Sequence, residues 1–419
     1  MFLKKIHFSH FKGFEDIELN FQKDDGSLRG QTLYLGENGM GKSNLLKGIA
    51  LVTAGSNALG DMFTETDDWI EFGAERCVIT AWIETQAHEE RKIELSIKRG
   101  HDLREIILHN QESLSRIDEA LKYADRSYFT VGYGASRRLN KGEPNSRSRE
   151  RRLSRRAQAV ITLFDSDASL NPLSSWAMDL DYSSDGGRLD TIKDALNDFL
   201  PEIKFDHIDK KKGEVLFRSP YHEQPIPLSL LSDGYQNMAS WIGDLLYRVT
   251  DSFDDYRDPL KTHGLLLIDE IDLHLHPKWQ RILLDFIQAK LPNFQLIATT
   301  HSPLTAQQSD EGELFVLTRE NDHIIVIPFA GSPRLMQISQ LLMSPMFGLA
   351  TDESRSVENL KNAYLDLKDN PVENKSQKFK DIKEKIEDLP VQPLKSDVFL
   401  KEKQEMITRL SEKNNIDLK

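Results

Sequence analysis

The run GENGMGKS, residues 36–43, most constrains how this chain can fold, because it separates two patterns of different period. Before it, Leu33, Tyr34 and Leu35 form a compact apolar segment of strand type; after it, NLLKGIAL has the apolar spacing of a helix. A strand that passes into a helix through glycines and a Lys-Ser pair fits the phosphate-loop pattern. Glycines serve there because backbone N–H groups must turn inward and approach phosphate oxygens, where the following helix adds its positive end. Gly36, Asn38, Gly39, Gly41, Lys42, Ser43 and Asn44 are therefore the candidate residues for ATP. Within them Lys42 reaches toward the β- and γ-phosphates and the Ser43 hydroxyl is a ligand for Mg2+.

Such a loop needs an acidic residue at the end of a buried strand. GLLLIDE supplies Asp269 for the metal, with Glu270 beside it to orient a water for attack on the γ-phosphate. The next apolar run, FQLIAT, is followed by His301, which is either a structural histidine or a hydrogen-bonding contact to the γ-phosphate. Between the two runs PKWQRILLDFIQAKL reads as a helix, completing the strand, helix, strand rhythm of a parallel sheet. IHFSHF, IELNF, CVITAWIE, KIELSIKRG and LREIILHN read as strands, so an antiparallel β region precedes that α/β core. Strands at IKFDHID and EVLFR and helices over 189–199 and 235–249 are expected further on. From about Thr351 the composition turns to Lys, Glu, Asp and Asn. The expected organisation is an α/β domain over 1–350 and a charged helical extension over 351–419.

No apolar run approaches the roughly 20 residues needed to span a membrane, and the opening MFLKKIHFSHFKGF lacks the apolar core of a signal peptide. Cys77 is the only cysteine, which excludes disulfides within the chain and makes the cytoplasm the expected compartment. A net charge of −13 opposes general attraction to nucleic acid. One basic stretch, within an insertion at about 136–160, runs against that balance: SRRLNKGEPNSRSRERRLSRR. It is either a solvated loop or a contact for DNA, RNA or a protein partner through Arg137, Arg138, Arg147, Arg149, Arg151, Arg152, Arg155 and Arg156.

Together with the phosphate loop, the acidic strand and His301, the turn LSDGY upstream of that strand resembles the ABC-type ATPase head. The resemblance implies that Ser232 and Gly234 of one copy cover the γ-phosphate held by its mate, in an ATP-sandwich homodimer. Asp233 and Tyr235 stand where a Gly-Gln pair is commoner, leaving the role of Gln236 open. IDLHLHP resembles the dimer-facing loop, which places Asp272, and with it His274, toward the opposite copy; a capped helix start at Pro277 is the simpler account of His276 and Pro277. IHFSHFKGFEDIELNF is similar to the first strands of RecF and SMC ATPases, which brings Lys12 toward the nucleotide, against the simpler reading of a surface lysine. Long coiled-coil arms are excluded, because sustained heptads are missing between phosphate loop and signature turn.

YFTVGYGASRR, VITLFDSDASLNPLSSWAMDL and SPMFGLATDESRSVE narrow the likeness to the AAA_15/AAA_21 grouping, which includes the PtuA-type ATPases of Septu anti-phage systems, some of them retron-associated. That likeness implies a defence ATPase working with a nuclease, such as an HNH protein, or a toxin. A RecF-like repair ATPase and an ATP-locked scaffold with little turnover are the alternatives.

Overall fold

The computed structural model describes residues 2–63, 65–85, 88–123, 128–139, 153–182, 187–200, 202–253, 258–321, 323–349, 351–368 and 377–388. The chain divides into two compact units, Met1–Gly348 and Leu349–Lys419. In the first, β1 (Phe2–Phe11), β2 (Phe14–Asn20), β4 (Arg76–Glu84) and β5 (Glu90–Lys98) form an antiparallel sheet in the order β2-β1-β4-β5. A second sheet takes β3 (Gln31–Gly36), β6 (Tyr128–Tyr133), β12 (His263–Ile268), β13 (Phe294–Thr299), β14 (Leu314–Glu320) and β15 (His323–Pro328) in the order β15-β14-β3-β13-β12-β6. Its strands are parallel except for the β14–β15 hairpin. Short pairs β7 (Arg138–Leu139) with β8 (Ser169–Leu170), and a meander of β9 (Lys204–Asp209), β10 (Glu214–Arg218) and β11 (Ile226–Pro227), complete the sheets.

Alternation along the central strands explains the layers. Leu33, Leu35, Leu266, Ile268, Leu296 and Ala298 face one core, which also takes Trp241, Ile242 and Leu245 of the helix Asp233–Ser252. Tyr34, Leu265, Leu267 and Ile297 face the other, shared with Phe8, Phe11 and Ile79 of the antiparallel sheet and Leu46 and Ile49 of the helix Lys42–Thr53. Side chains at successive positions point to opposite faces, so a sheet covered on both sides must be apolar throughout. β13 accordingly has all six residues buried.

Two expected elements differ. LREIILHN is a helix, Leu103–His109, because the Asp102 carboxylate accepts from the Glu105 N–H while the Glu105 carboxylate accepts from the Asp102 N–H. This reciprocal cap outweighs the strand preference of two isoleucines. PKWQRILLDFIQAKL is two helices, Pro277–Gln280 and Leu283–Lys290, rather than one. In the second unit, helices Arg355–Lys368 and Gln377–Glu387 meet through stacked Tyr364 and Phe379, with ring centroids 5.2 Å apart. No helix among the described residues is long and apolar enough to cross a membrane. Cys77 is buried, and that burial pushes its thiol up to about 12, so it stays protonated at neutral pH.

Candidate active site at the strand ends

Parallel pairing places the carboxyl ends of β3, β13, β12 and β6 side by side, the position at which open α/β sheets collect ligands. The phosphate loop leaves β3. A side chain at Gly36 would meet the Leu317 carbonyl at 2.7 Å. At Gly41, φ is 81° and a Cβ would lie 2.8 Å from the Phe14 ring, so both positions demand glycine. Glu37, Asn38 and Gly39 are exposed at the tip. Lys42 is buried and its ammonium donates to the carbonyls of Gly36 (2.7 Å) and Glu37 (2.9 Å). Burial holds its pKa below the ordinary lysine value, partly countered by Asp269 and Glu270.

Asp269 joins the loop to the sheet. Its carboxylate accepts from Ser43 Oγ at 2.6 Å and from Thr299 Oγ1 at 2.6 Å, while its N–H donates to the Tyr133 carbonyl at 2.8 Å. Oxygen donors of this kind suit Mg2+, which usually keeps waters and takes only one or two protein ligands beside phosphate. Among the described residues no group of three or more His, Cys, Asp or Glu could cage a metal alone.

Glu270 follows in the left-handed region, at φ 46°. For a residue other than glycine this costs roughly 1–2 kcal/mol, so the surroundings must hold it. Its N–H donates to Thr299 Oγ1 at 2.7 Å, and its carbonyl accepts a short bond from the Arg137 guanidinium. Arg137 is only 8% exposed, and burial lowers its pKa to about 10, against Asp272, Asp269 and Glu270 nearby. Arg137 is therefore neither part of a solvated loop nor a free contact for DNA, RNA or a protein partner, the two alternatives for the basic stretch: it is buried, with Nη2 donating to main-chain carbonyls at the end of β12. The sequence places Arg137 in the basic stretch rather than at this centre, and it does not single out Thr299. Both become visible only when β6 and β13 are known to flank β12.

Around this centre, Asp272 is half-buried and its carboxylate accepts a short bond from Thr300 Oγ1. Burial raises its pKa, opposed by Thr300, Arg137 and His301. His301 is exposed beyond β13, and His274 is exposed with φ 64°. His276 caps the helix at Pro277, its ring nitrogen accepting from the Lys278 N–H at 3.3 Å. Lys12 also has a left-handed backbone, at φ 53°, with its ammonium 4.4 Å from the centre of the Trp69 ring. Desolvation and Lys47 lower its pKa.

The Ser232 turn opens the helix Asp233–Ser252. Ser232 has the backbone of an N-cap, yet its hydroxyl makes no capping bond, and Ser232 and Asp233 are exposed. Gln236 closes the turn from inside, donating to the Leu231 carbonyl at 2.7 Å, which gives that residue a structural place. Gly234 and Tyr235 border a cavity of about 710 Å3 with Trp279, His274 and Glu202, and the Tyr235 hydroxyl donates to Glu202 at 3.2 Å. Of the basic stretch, residues 140–152, with Arg147, Arg149, Arg151 and Arg152, lie outside the described residues. Arg138 is in β7, Arg155 is exposed, and Arg156 pairs with Asp118 at 3.5 Å.

The AAA_21 family, described as "AAA domain, putative AbiEii toxin, Type IV TA system", matches residues 79–306. The chain is 26% identical over 390 residues to the Septu protein PtuA of Bacillus mycoides (strain KBAB4), covering 92% of this chain and 50% of that protein. It is 32% identical over 136 residues to the "Retron Ec83 probable ATPase" of Escherichia coli, covering 32% and 25%. The chain thus spans half or less of the length of these curated relatives. Among solved structures it is similar to an SmcHead bound to the C-winged helix domain of ScpA, with a TM-score of 0.51 at 15% identity over 78% of this chain and 98% of that one. A family match over more than half of the chain and a shared head architecture lead to one statement: the chain belongs to the AAA_21 family and has the fold of an SMC head.

Proposed function

We propose that this chain binds ATP with Mg2+ and hydrolyses it in composite sites between two copies, acting as a nucleotide-gated sensor or clamp of an anti-phage defence system with a nuclease or toxin partner. The observation that carries the reading is the bond network Ser43–Asp269–Thr299, with Glu270 fixed beside it at the strand ends. In this account Lys42 leaves the Gly36 and Glu37 carbonyls for the β- and γ-phosphates, and loop N–H groups take the phosphate oxygens. Ser43 and Asp269 would hold Mg2+, which would supply charge stabilisation to the phosphates. Glu270 orients a water in line with the γ-phosphorus; the water oxygen bonds to phosphorus as the bond to the bridging oxygen breaks, the protons of the water pass to phosphate and solvent, and ADP and phosphate leave. His301 contacts the γ-phosphate, while Ser232 Oγ and the Gly234 N–H come from the other copy.

The free Ser232 hydroxyl supports that last step, since a serine at an N-cap ordinarily satisfies its own helix. The PtuA and retron relatives support the defence context. A RecF-like reading that rests on the arginine-rich stretch loses Arg137 and shares Arg156 with Asp118. The test is ATP turnover by the full chain, alone and with co-expressed neighbours. Glu270→Gln is expected to bind ATP yet hydrolyse it at least about 100-fold more slowly; turnover at the unmodified rate refutes the assignment of Glu270.

A further inference from the structure

Arg137 lies just beyond β6, and its own backbone is in the left-handed region, at φ 26°. The guanidinium Nη2 donates to two consecutive carbonyls, that of Asp269 at 3.4 Å and, through a short bond, that of Glu270. Nη1 is buried without a hydrogen-bond partner, and the guanidinium carbon lies 5.4 Å from the centre of the Trp241 ring. Trp241 is 2% exposed and belongs to the helix that Ser232 opens.

A buried cation with one amine unsatisfied is costly and contributes poorly to stability. A main-chain carbonyl can be satisfied by a neutral donor, so stability alone gives little reason for an arginine here. Geometry gives another. Glu270 is held at both ends of its residue: its N–H by Thr299 and its carbonyl by Arg137. Fixing both peptide planes fixes the direction in which the Glu270 side chain leaves the backbone. We infer that Arg137 is the positioning residue for the Glu270 carboxylate, keeping the left-handed turn after β12 in place from a platform supplied by Trp241 of the Ser232 helix.

This inference rests on the hydrolytic role proposed for Glu270. Catalytic groups displaced by about 1 Å lose on the order of 100-fold in rate, and a positioning residue changes turnover without changing ground-state binding. The test compares the unmodified full chain, Glu270→Gln, Arg137→Lys and Arg137→Met in ATP turnover, affinity for a non-hydrolysable ATP analogue, and thermal unfolding. Arg137→Lys keeps the charge but loses the fork; Arg137→Met removes the buried charge. Both are expected to fold, with Arg137→Met melting no lower than the unmodified chain. Each lowers kcat about 100-fold while KM and analogue affinity stay within about threefold.

Turnover near the unmodified rate in either folded variant, with Glu270→Gln inactive, overturns the positioning role while leaving the proposed function intact. A silent Glu270→Gln means instead that the proposed function has failed. If neither Arg137 variant folds, or if kcat falls only in step with melting temperature, Arg137 is a structural residue and the inference is wrong.

Discussion

Two helix N-termini serve this molecule, and they are finished in opposite ways. At Gly41–Ser43 every polar group named has a partner in the same chain: Lys42 on two carbonyls, Ser43 on Asp269. At Leu231–Tyr235 the inner side is closed by Gln236, while the Ser232 hydroxyl leaves its own helix uncapped. Among the described residues no hydrogen bond or ion pair joins this turn to the phosphate loop. Helix ends attract anions in both places, yet only at the first does the serine donate to a buried carboxylate, Asp269. In the proposed function the difference has a meaning: the first end is the half of a phosphate site that a copy holds, and the second is the half that it presents to its mate.

The comparison breaks most readily at the complete end. Lys42→Ala removes the ammonium now held on the Gly36 and Glu37 carbonyls, and loss of nucleotide retention is expected in equilibrium binding with a fluorescent ATP analogue. Retained binding would move the phosphate site away from β3. Next in size is the separation between Glu270→Gln, expected to bind and stall, and the unmodified chain, expected to turn over, measured as phosphate release.

Serine substitutions sharpen the contrast more finely. Ser302 caps its helix through the Leu304 and Thr305 N–H groups, so Ser302→Ala is expected to cost about 1 kcal/mol in denaturant unfolding. Ser232→Ala is expected to change unfolding by only a few tenths of that amount, yet to weaken ATP-driven pairing of chains. Equal losses of stability would mean that Ser232 is an ordinary cap. The smallest effect concerns Asp272, whose folded pKa is raised above 3.8 by burial. A raised carboxyl pKa means that ionisation opposes folding at neutral pH and ceases to do so once both states are protonated. Asp272→Asn should therefore melt slightly higher than the parent at pH 7, and the gain should vanish as pH falls below the ordinary carboxylate value.

How much was legible depends on whether the signal was local. The phosphate loop, the β12 run into Asp269 and Glu270, and the helix after Ser232 are written in contiguous residues whose period and glycine pattern suffice. Arg137 was hidden by its neighbours, because an arginine inside an arginine-rich stretch reads as surface. What buries it is the pairing of Tyr133 with Ile268, far apart in the chain. Leu103–His109 was misread because Ile106 and Ile107 suit a strand, and the capping pair Asp102 and Glu105 outweighs them. Asp272 shows the same limit: its partner Thr300 lies at the end of the next strand, so the direction of its carboxylate follows from sheet order.

The central claim is that two copies meet so that the Ser232 turn of each completes the phosphate site of the other. Sedimentation velocity of the full-length Glu270→Gln chain, with and without saturating ATP and Mg2+, tests it directly. The account predicts a nucleotide-dependent species containing two chains that is lost in the Ser232→Arg double variant. Single chains at saturating nucleotide, or pairing that persists without ATP and survives Ser232→Arg, would contradict it.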